Sequence, residues 1–160
     1  KKITLRKNTA MLVMAITTHN VPEGMSVGLA FALAAQKPSD MAVLSGAVAL
    51  TIGIAIQNFP EGTAVALPLV KEGMKKRTAF LIASMTAIVE PVFGMLAAAF
   101  AKFAQEWIAL CLAFAAGTMI YVVVDELIPE AHLDGEEGKE GTLGFIVGFL
   151  VMMILDVALG

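Results

Sequence analysis

The stretch HNVPEG at residues 19–24 recurs further along the chain as QNFPEG at residues 57–62. Each copy lies inside a long apolar segment, and a connector of only a few residues, 36–40, separates the two segments. Short connectors force neighbouring helices to run antiparallel, so the two copies should be related by a pseudo-two-fold axis in the membrane plane. The pattern predicts an inverted repeat with a polar site near the middle of two spanning helices.

The composition indicates a membrane protein. Of the 160 residues, 58% are hydrophobic and 16% charged, whereas soluble domains have about 45–50% and about 25%. The net charge of −3 gives no reason to expect nucleic-acid binding. The single cysteine, Cys111, excludes an internal disulfide and a thiolate metal cluster.

Charged residues divide the chain into five apolar segments, each long enough for a spanning helix. The segments are continuous and do not alternate with period two, which argues against strands. We therefore predict an all-α membrane protein, with a single transmembrane domain over residues 1–160 and five spanning helices. The predicted spans are approximately 9–35, 41–70, 78–101, 107–132 and 142–160, and the short connectors between the first four are 36–40, 71–77 and 102–106.

The distribution of basic residues predicts the orientation in a cell (inner or plasma) membrane. Lys37 and Lys102 fall on one side, and the other side holds Lys1, Lys2, Arg6, Lys7, Lys71, Lys75, Lys76, Arg77 and Lys139. By the positive-inside rule, the N-terminus should be cytoplasmic and, after five crossings, the C-terminus outside. Since the chain begins at Lys1 rather than Met, we expect it to be the C-terminal portion of something larger.

Three glutamates, Glu23, Glu61 and Glu90, lie near the middle of their segments, where a charged side chain is energetically unfavourable in a membrane. Standing alone and ionised they would cost about 8–10 kcal/mol on insertion scales, and no Lys or Arg lies at matching depth. They are therefore either protonated or neutralised by cations. His19 lies one helical turn before Glu23, and imidazole with carboxylate is a common ligand set for zinc.

Proline stands beside each of these glutamates, at Pro22, Pro60 and Pro91. Because proline lacks an N–H, each should free the carbonyl four residues earlier, for example that of Ala87 before Pro91. A freed carbonyl needs water, a side chain or an ion, which favours a polar cavity over a simple kink. Gly24 and Gly62 should let neighbouring helices approach closely.

A second polar cluster follows the fourth segment, at Asp125, Glu126 and Glu130. Glu126 and Glu130 share one helix face, so the cluster could form a secondary metal or exit site. The alternative is ordinary polar flanking of a membrane boundary, and the sequence leaves both interpretations open.

Together with VEP (89–91) and DELIPEAH (125–132), the two N-x-P-E-G copies resemble the ZIP family of divalent-metal transporters, most of all its bacterial GufA-like branch. The resemblance implies an eight-helix bundle in which these five spans are the fourth to eighth. Its partners are then the lipid bilayer, the three preceding helices and divalent metal ions. It also implies transport toward the cytoplasm of Zn2+, or of Fe2+, Mn2+ or Cd2+, with no enzyme activity and no organic cofactor.

The resemblance further implies a binuclear metal centre. Its first site comprises His19, Glu23, Gln57 and Glu61, and its second Asn20, Glu23, Asn58, Glu61 and Glu90, with Glu23 and Glu61 bridging. Asn58 stands where some relatives carry Asp, which should weaken the charge of the second site. Asp125 stands where relatives often carry His, which puts zinc binding at Asp125 and Glu126 in question.

Other classes of function stay open at this point. One is a structural or regulatory membrane subunit whose carboxylates remain protonated. Another is an intramembrane metal-dependent enzyme, although His19 has no second histidine in its segment to complete an H-E-x-x-H motif. A third is a proton-coupled carrier that uses Glu23 and Glu61 as its relay, and a homodimer is likewise left open.

Overall fold

The structure is a computed structural model that describes residues 7–128 and 138–159. Within these two ranges the elements are helical and no strand occurs, as the sequence predicts. The helices are α1 (Lys7–Gln36), α2 (Met41–Lys71), α3 (Lys76–Thr86), α4 (Val89–Ala99), α5 (Ala101–Val122) and α6 (Gly138–Leu159), and a π-helical segment (Val123–Leu127) follows α5.

Both ends of α2 are fixed by local sequence signals. At its start the side chain of Asp40 accepts hydrogen bonds from the backbone N–H groups of Ala42 (3.2 Å) and Val43 (3.4 Å), which is the usual role of an N-cap aspartate. At its end Gly73 has a φ of 91°, a conformation that glycine adopts without steric cost. Its N–H donates to the Val70 carbonyl, and the Met74 N–H donates to Leu69, which together form a Schellman motif.

The antiparallel arrangement of α1 and α2 is confirmed by their contacts. At one end, the Thr9 hydroxyl near the start of α1 donates to Glu72 just after α2. The core cluster beside this contact combines one face of α1 with the end of α2 and the start of α3, and its buried members are Leu12, Ile16, Val65, Leu69, Ala79 and Ala83.

The sequence predicts the third span, 78–101, as one continuous helix. The structure has two shorter helices in this region. Helix α3 ends at Thr86 and α4 begins at Val89. Pro91 lies in the first turn of α4, where its missing N–H leaves no helical hydrogen bond unmade. Pro22, Pro60 and Pro68, in contrast, lie inside α1 and α2 without ending those helices. The Ala87 carbonyl, expected to be freed, accepts the N–H of Glu90 at 3.1 Å instead.

The predicted connector 102–106 is wrong, because these residues belong to α5. The helices α4 and α5 are separated by Phe100 alone. Its N–H donates to the Leu96 carbonyl (2.9 Å) and its carbonyl accepts from Ala104 (3.0 Å). The intervening Lys, Ala, Gln and Glu residues are good helix formers, so their charge marks the end of an apolar run without ending a helix.

Glycines allow the close approach of α1 and α4. The prediction of such an approach is confirmed at Gly24 but not at Gly62. A Cβ on Gly24 would collide with the backbone of Glu90, and one on Gly28 with the backbone of Gly94. Gly62, in contrast, has no described atom within 4 Å of a Cβ position. Within the described part of the chain this face of α2 borders a cavity rather than a helix, so the prediction for Gly62 is not met there.

Two stretches of the described ranges, Met41–Lys71 and Lys76–Ala99, are long and apolar enough to cross a membrane by length and composition. A shorter apolar helix occurs at Gly141–Val151. Large apolar side chains on the two long stretches are exposed, including Phe59 (81%) and Met95 (67%), as expected for surfaces that meet an apolar environment. The count of five spans stays a prediction.

Candidate metal centre

Three candidate ligands converge from the middle of two helices. His19 and Glu23 lie one turn apart on α1, and Glu61 lies on α2. The His19 Nε2 atom is 3.1 Å from Glu23 Oε1 and 3.8 Å from Glu61 Oε1. One ligand atom from each residue lies within 4.8 Å of the others. Ligands of a tetrahedral zinc ion with bonds of about 2.1 Å are about 3.4 Å apart, so the spacing is compatible with a single ion.

The two amides that the repeat places on α2 orient neighbouring carboxylates. The Gln57 amide donates to Glu23 Oε1 across the α1–α2 contact. The Asn58 amide donates to both carboxylate oxygens of Glu90, at 3.0 and 2.9 Å, across the α2–α4 contact. Glu23 and Glu90 therefore each have an amide donor on another helix, which orients the carboxylate.

Asn20 is tied to the break between α3 and α4. Its side chain is 2% exposed, and its Nδ2 donates to the backbone carbonyl of Thr86 at 3.1 Å. Thr86 is the last residue of α3, so its carbonyl is one of those that a helix end leaves without a partner. The amide of Asn20 supplies the missing donor.

Four buried oxygen atoms of the centre have no hydrogen-bond partner among the described residues: Asn20 Oδ1, Glu23 Oε2, Asn58 Oδ1 and Glu61 Oε2. A buried acceptor left in this state costs about 1–3 kcal/mol. All four are carboxylate or amide oxygens, which bind divalent cations. The acceptor set therefore fits a divalent cation.

Two cavities flank the centre, one on each side of the helix break. One has a volume of about 460 Å³, and its lining includes Asn20, Asn58, Glu61 and residues of α3. The other has a volume of about 440 Å³, and its lining includes Asn58, Glu90 and residues of α4. Asn58 borders both, so the centre lies where the two cavities meet.

The structure brings the two copies of the repeat face to face. Direct contacts join His19 to Glu61, Glu23 to Gln57, and Asn58 to Glu90. Asn20 joins the group as a lining residue of the cavity that also includes Asn58 and Glu61. Which of these seven residues bind an ion, and in which site, remains a prediction.

The second cluster stays a prediction as well. Asp125 lies in the π-helical segment and is exposed. The backbone of Glu126 lies in the same segment, its side chain is outside what the structure describes, and Glu130 falls outside the described ranges. The π-helical geometry was not expected from the sequence, although π-bulges are frequent at functional sites.

Sequence reasoning also missed the carbonyl of Thr86. Its participation depends on where a helix breaks, and a backbone group carries no residue-type signal. The available signal was Pro91, which predicts a freed carbonyl at Ala87 but does not by itself reveal that Glu90 donates there instead.

The fold and the centre define a helical membrane protein with a buried imidazole–carboxylate group of the kind that binds metal. A sequence model of the family described as ZIP Zinc transporter matches residues 2–156. The chain therefore belongs to the ZIP family, whose members are metal transporters rather than enzymes.

Individual relatives agree with this assignment. Zinc transporter ZIP11 of Homo sapiens is 46% identical over 96% of this chain and 44% of its own length. Zinc transporter GufA of Myxococcus xanthus is 44% identical over 96% of this chain and 57% of its own length. Zinc transporter ZIPB of Bordetella bronchiseptica is 38% identical over 94% of this chain and 46% of its own length. GufA and ZIPB support the bacterial GufA-like branch, and the chain spans about half the length of these relatives.

Proposed function

We propose that the protein moves Zn2+ across a cell membrane toward the cytoplasm, through a binuclear centre between α1, α2 and α4. The observation that carries the proposal is the convergence of His19, Glu23 and Glu61 in a membrane-spanning setting. The names of the relatives, all zinc transporters, support the choice of ion. Fe2+, Mn2+ and Cd2+ are further candidates, because first-row and related ions share these ligand types.

In the proposed first site, His19, Glu23, Gln57 and Glu61 bind one ion. The separations of the His19 imidazole from the two carboxylates support this assignment, since they are close to those of a tetrahedral site. Gln57 reaches the site from α2, where its amide already contacts Glu23. For Gln57 to act as a ligand, its amide oxygen would turn toward the ion.

In the proposed second site, Asn20, Glu23, Asn58, Glu61 and Glu90 bind the other ion. Four of these five residues have a buried oxygen without a hydrogen-bond partner in the described part of the chain. Glu23 and Glu61 contribute one oxygen to the first group and retain the other, which supports a bridging role. The second site is then made entirely of oxygen ligands, whereas the first includes a nitrogen.

Charge balance supports the presence of ions in this centre. Three ionised carboxylates carry −3, so one divalent ion leaves −1 and two leave +1. In a low-dielectric setting either state costs far less than three uncompensated charges.

The proposed transport step is an exchange of ligands. Imidazole, carboxylate and amide groups replace water around the ion as it enters, and water replaces them as it leaves. The two flanking cavities, of about 460 and 440 Å³, provide room for hydrated ions on either side of the centre. The excess of Lys and Arg on the N-terminal side supports that side as the cytoplasmic one, and the direction of transport is proposed from the resemblance to the family.

The test is zinc uptake into liposomes that contain the full-length protein and a fluorescent zinc indicator. H19A and E61Q should each lower the initial rate by more than about tenfold, because each removes a ligand of the first site. The matched control is E106Q, which neutralises an exposed glutamate outside the centre. Competition with Cd2+, Fe2+ and Mn2+ then ranks the ions.

Uptake by H19A and E61Q at the rate of E106Q would refute the proposal. The rival function, a structural or regulatory subunit, already predicts a different result for zinc binding, before any transport is measured. A subunit with protonated carboxylates would bind no zinc in equilibrium dialysis, whereas the transporter should bind it. H19A should then lose the ion of the first site, and E61Q, which alters a ligand of both sites, should weaken the binding of both ions.

A further inference from the structure

We propose that Pro91 is a positioning residue for the second ion, because the helix break that it causes holds Asn20 with its side-chain oxygen free to face the ion. The inference rests on the proposed function and adds a mechanism to it. A proline outside the ligand set would thereby determine how well an asparagine binds metal.

The first step is the missing donor. In a continuous helix the N–H of residue 91 would donate to the carbonyl of Ala87, and the N–H of Glu90 would donate to the carbonyl of Thr86. Proline has no N–H, so the Ala87 carbonyl would have no helical partner. The N–H of Glu90 takes that place and donates to Ala87 at 3.1 Å.

The second step is the release of Thr86. Because Glu90 donates one residue further along, the Thr86 carbonyl loses the partner that a continuous helix would provide. It is buried, as Thr86 itself is 4% exposed, so an unpaired state would be costly. The Nδ2 of Asn20 donates to it at 3.1 Å across the contact between α1 and α3.

The third step is the orientation of the amide. A side-chain amide presents a donor on one side and an acceptor on the other, and only the acceptor binds a cation. With Nδ2 held by Thr86, Oδ1 is the group left over, and it is buried without a partner among the described residues. The hydrogen bond thus prevents the amide from turning its N–H groups toward the ion.

The variant P91A should restore the helical pattern, in which Glu90 donates to Thr86 and competes with Asn20. In the full-length protein, the dissociation constant for the second equivalent of Zn2+, measured by titration calorimetry, should rise by about tenfold or more, the usual effect of losing a partner that orients a metal ligand. The control is P68A, which removes a proline from the interior of α2 away from the centre and should leave both constants unchanged.

A rescue experiment separates positioning from a general structural effect. A carboxylate has an acceptor on both sides and needs no orienting donor, so N20D should recover the affinity that P91A loses. In the otherwise wild-type protein, N20D would instead place a carboxylate against the Thr86 carbonyl. The increase in affinity for the second Zn2+ that N20D causes should therefore be about tenfold larger in the P91A background than in the wild-type background. Such non-additivity is expected of residues that share one hydrogen-bond network.

A measurement on the wild-type protein does not depend on how the variants fold. With nitrogen-15 in asparagine, the side-chain signal of Asn20, identified by its loss in N20D, should exchange its protons slowly without zinc. It should exchange at least about tenfold faster in P91A and be unaffected by P68A.

The outcomes distinguish the inference from the function. If wild-type protein binds no zinc, the proposed function is refuted. If it binds two ions but P91A behaves as P68A does, or N20D adds the same factor in both backgrounds, the function stands and the role of Pro91 is refuted. Fast exchange of the Asn20 amide in the wild-type protein would also refute it.

Discussion

At the scale of the residue, Asn58 shows how an amide changes the character of a carboxylate site. Its Nδ2 donates to both oxygens of Glu90, while its Oδ1 is buried with no partner in the described part of the chain. One side chain therefore stabilises a neighbouring charge and still offers an acceptor of its own. An aspartate at the same position would offer the acceptor but lose the stabilising contact.

We expect N58D to have opposite effects on the metal-free and the metal-bound protein. Without zinc, a carboxylate at about 3 Å from Glu90 replaces a favourable contact, and the free energy of unfolding should fall by about 1–3 kcal/mol. With zinc, the added charge should strengthen the second site. Thermal denaturation of the full-length protein with and without zinc tests this, and an unchanged melting temperature of the metal-free variant would contradict it.

The residues of the centre were largely predictable, whereas their orientation was not. The repeat identified His19, Glu23 and Glu61 because polar side chains inside long apolar segments cannot be explained as ordinary solvent-exposed residues. The partner of Asn20 could not be identified in this way, since a backbone carbonyl becomes available only where a helix ends.

At the scale of the element, the glycines that close the two copies of the repeat have different surroundings. Gly24 lies against the backbone of Glu90, whereas Gly62 lies beside open space in the described structure. Among the described residues the sequence symmetry therefore does not extend to packing, because α1 has a helix on this side and α2 has a cavity. Gly24 thus sets the distance between α1 and α4, and with it the position of Glu90.

The matched variants G24A and G62A should separate these environments. In G24A the new methyl group would collide with the backbone of Glu90, so α4 must shift, at a cost of about 1–3 kcal/mol for overpacking. In G62A alanine replaces glycine in a helix with room to spare, which should be neutral or stabilising by up to about 1 kcal/mol. Melting temperatures of the two variants provide the measurement, and equal values would contradict the role of the close approach.

The boundaries of the elements were predictable where a capping signal exists and not where charge alone was used. Asp40 and Gly73 mark the ends of α2 by specific hydrogen bonds and backbone geometry. The charged residues at 102–106 end an apolar run, yet they lie inside helix α5. Lys, Gln and Glu are polar, but they also have high helix propensity. The break before Pro91 was not predictable from its missing N–H alone, because Pro22, Pro60 and Pro68 lack the same group and lie inside continuous helices.

At the scale of the whole molecule, the centre gathers acceptors and carboxylates that no described Lys or Arg approaches within an ion-pair distance. If an ion fills this centre, as proposed, the stability of the fold should depend on that ion. The proposed function therefore has a consequence for unfolding as well as for transport.

Zinc should raise the melting temperature of the full-length protein. An ion at a hundred times its dissociation constant adds about 2.7 kcal/mol to the native state if the unfolded chain does not bind it. The shift should reverse on addition of a chelator, and E61Q should lose most of it, while E106Q retains it. A melting temperature that does not respond to zinc in the wild-type protein would contradict the presence of a site.

The break between α3 and α4 also has an electrical consequence. Each of these helices has 11 residues, or about 16 Å, so neither alone crosses a hydrocarbon core of about 30 Å. In the predicted span 78–101, two helix ends with opposite partial charges of about half an electron would then lie within the apolar layer. Glu90, in the first turn of α4, lies at the positive end, which favours its negative charge. The carbonyl end of α3 presents negative potential beside the cavity that Thr86 and Ala87 line, so the backbone itself would favour a cation that enters this cavity.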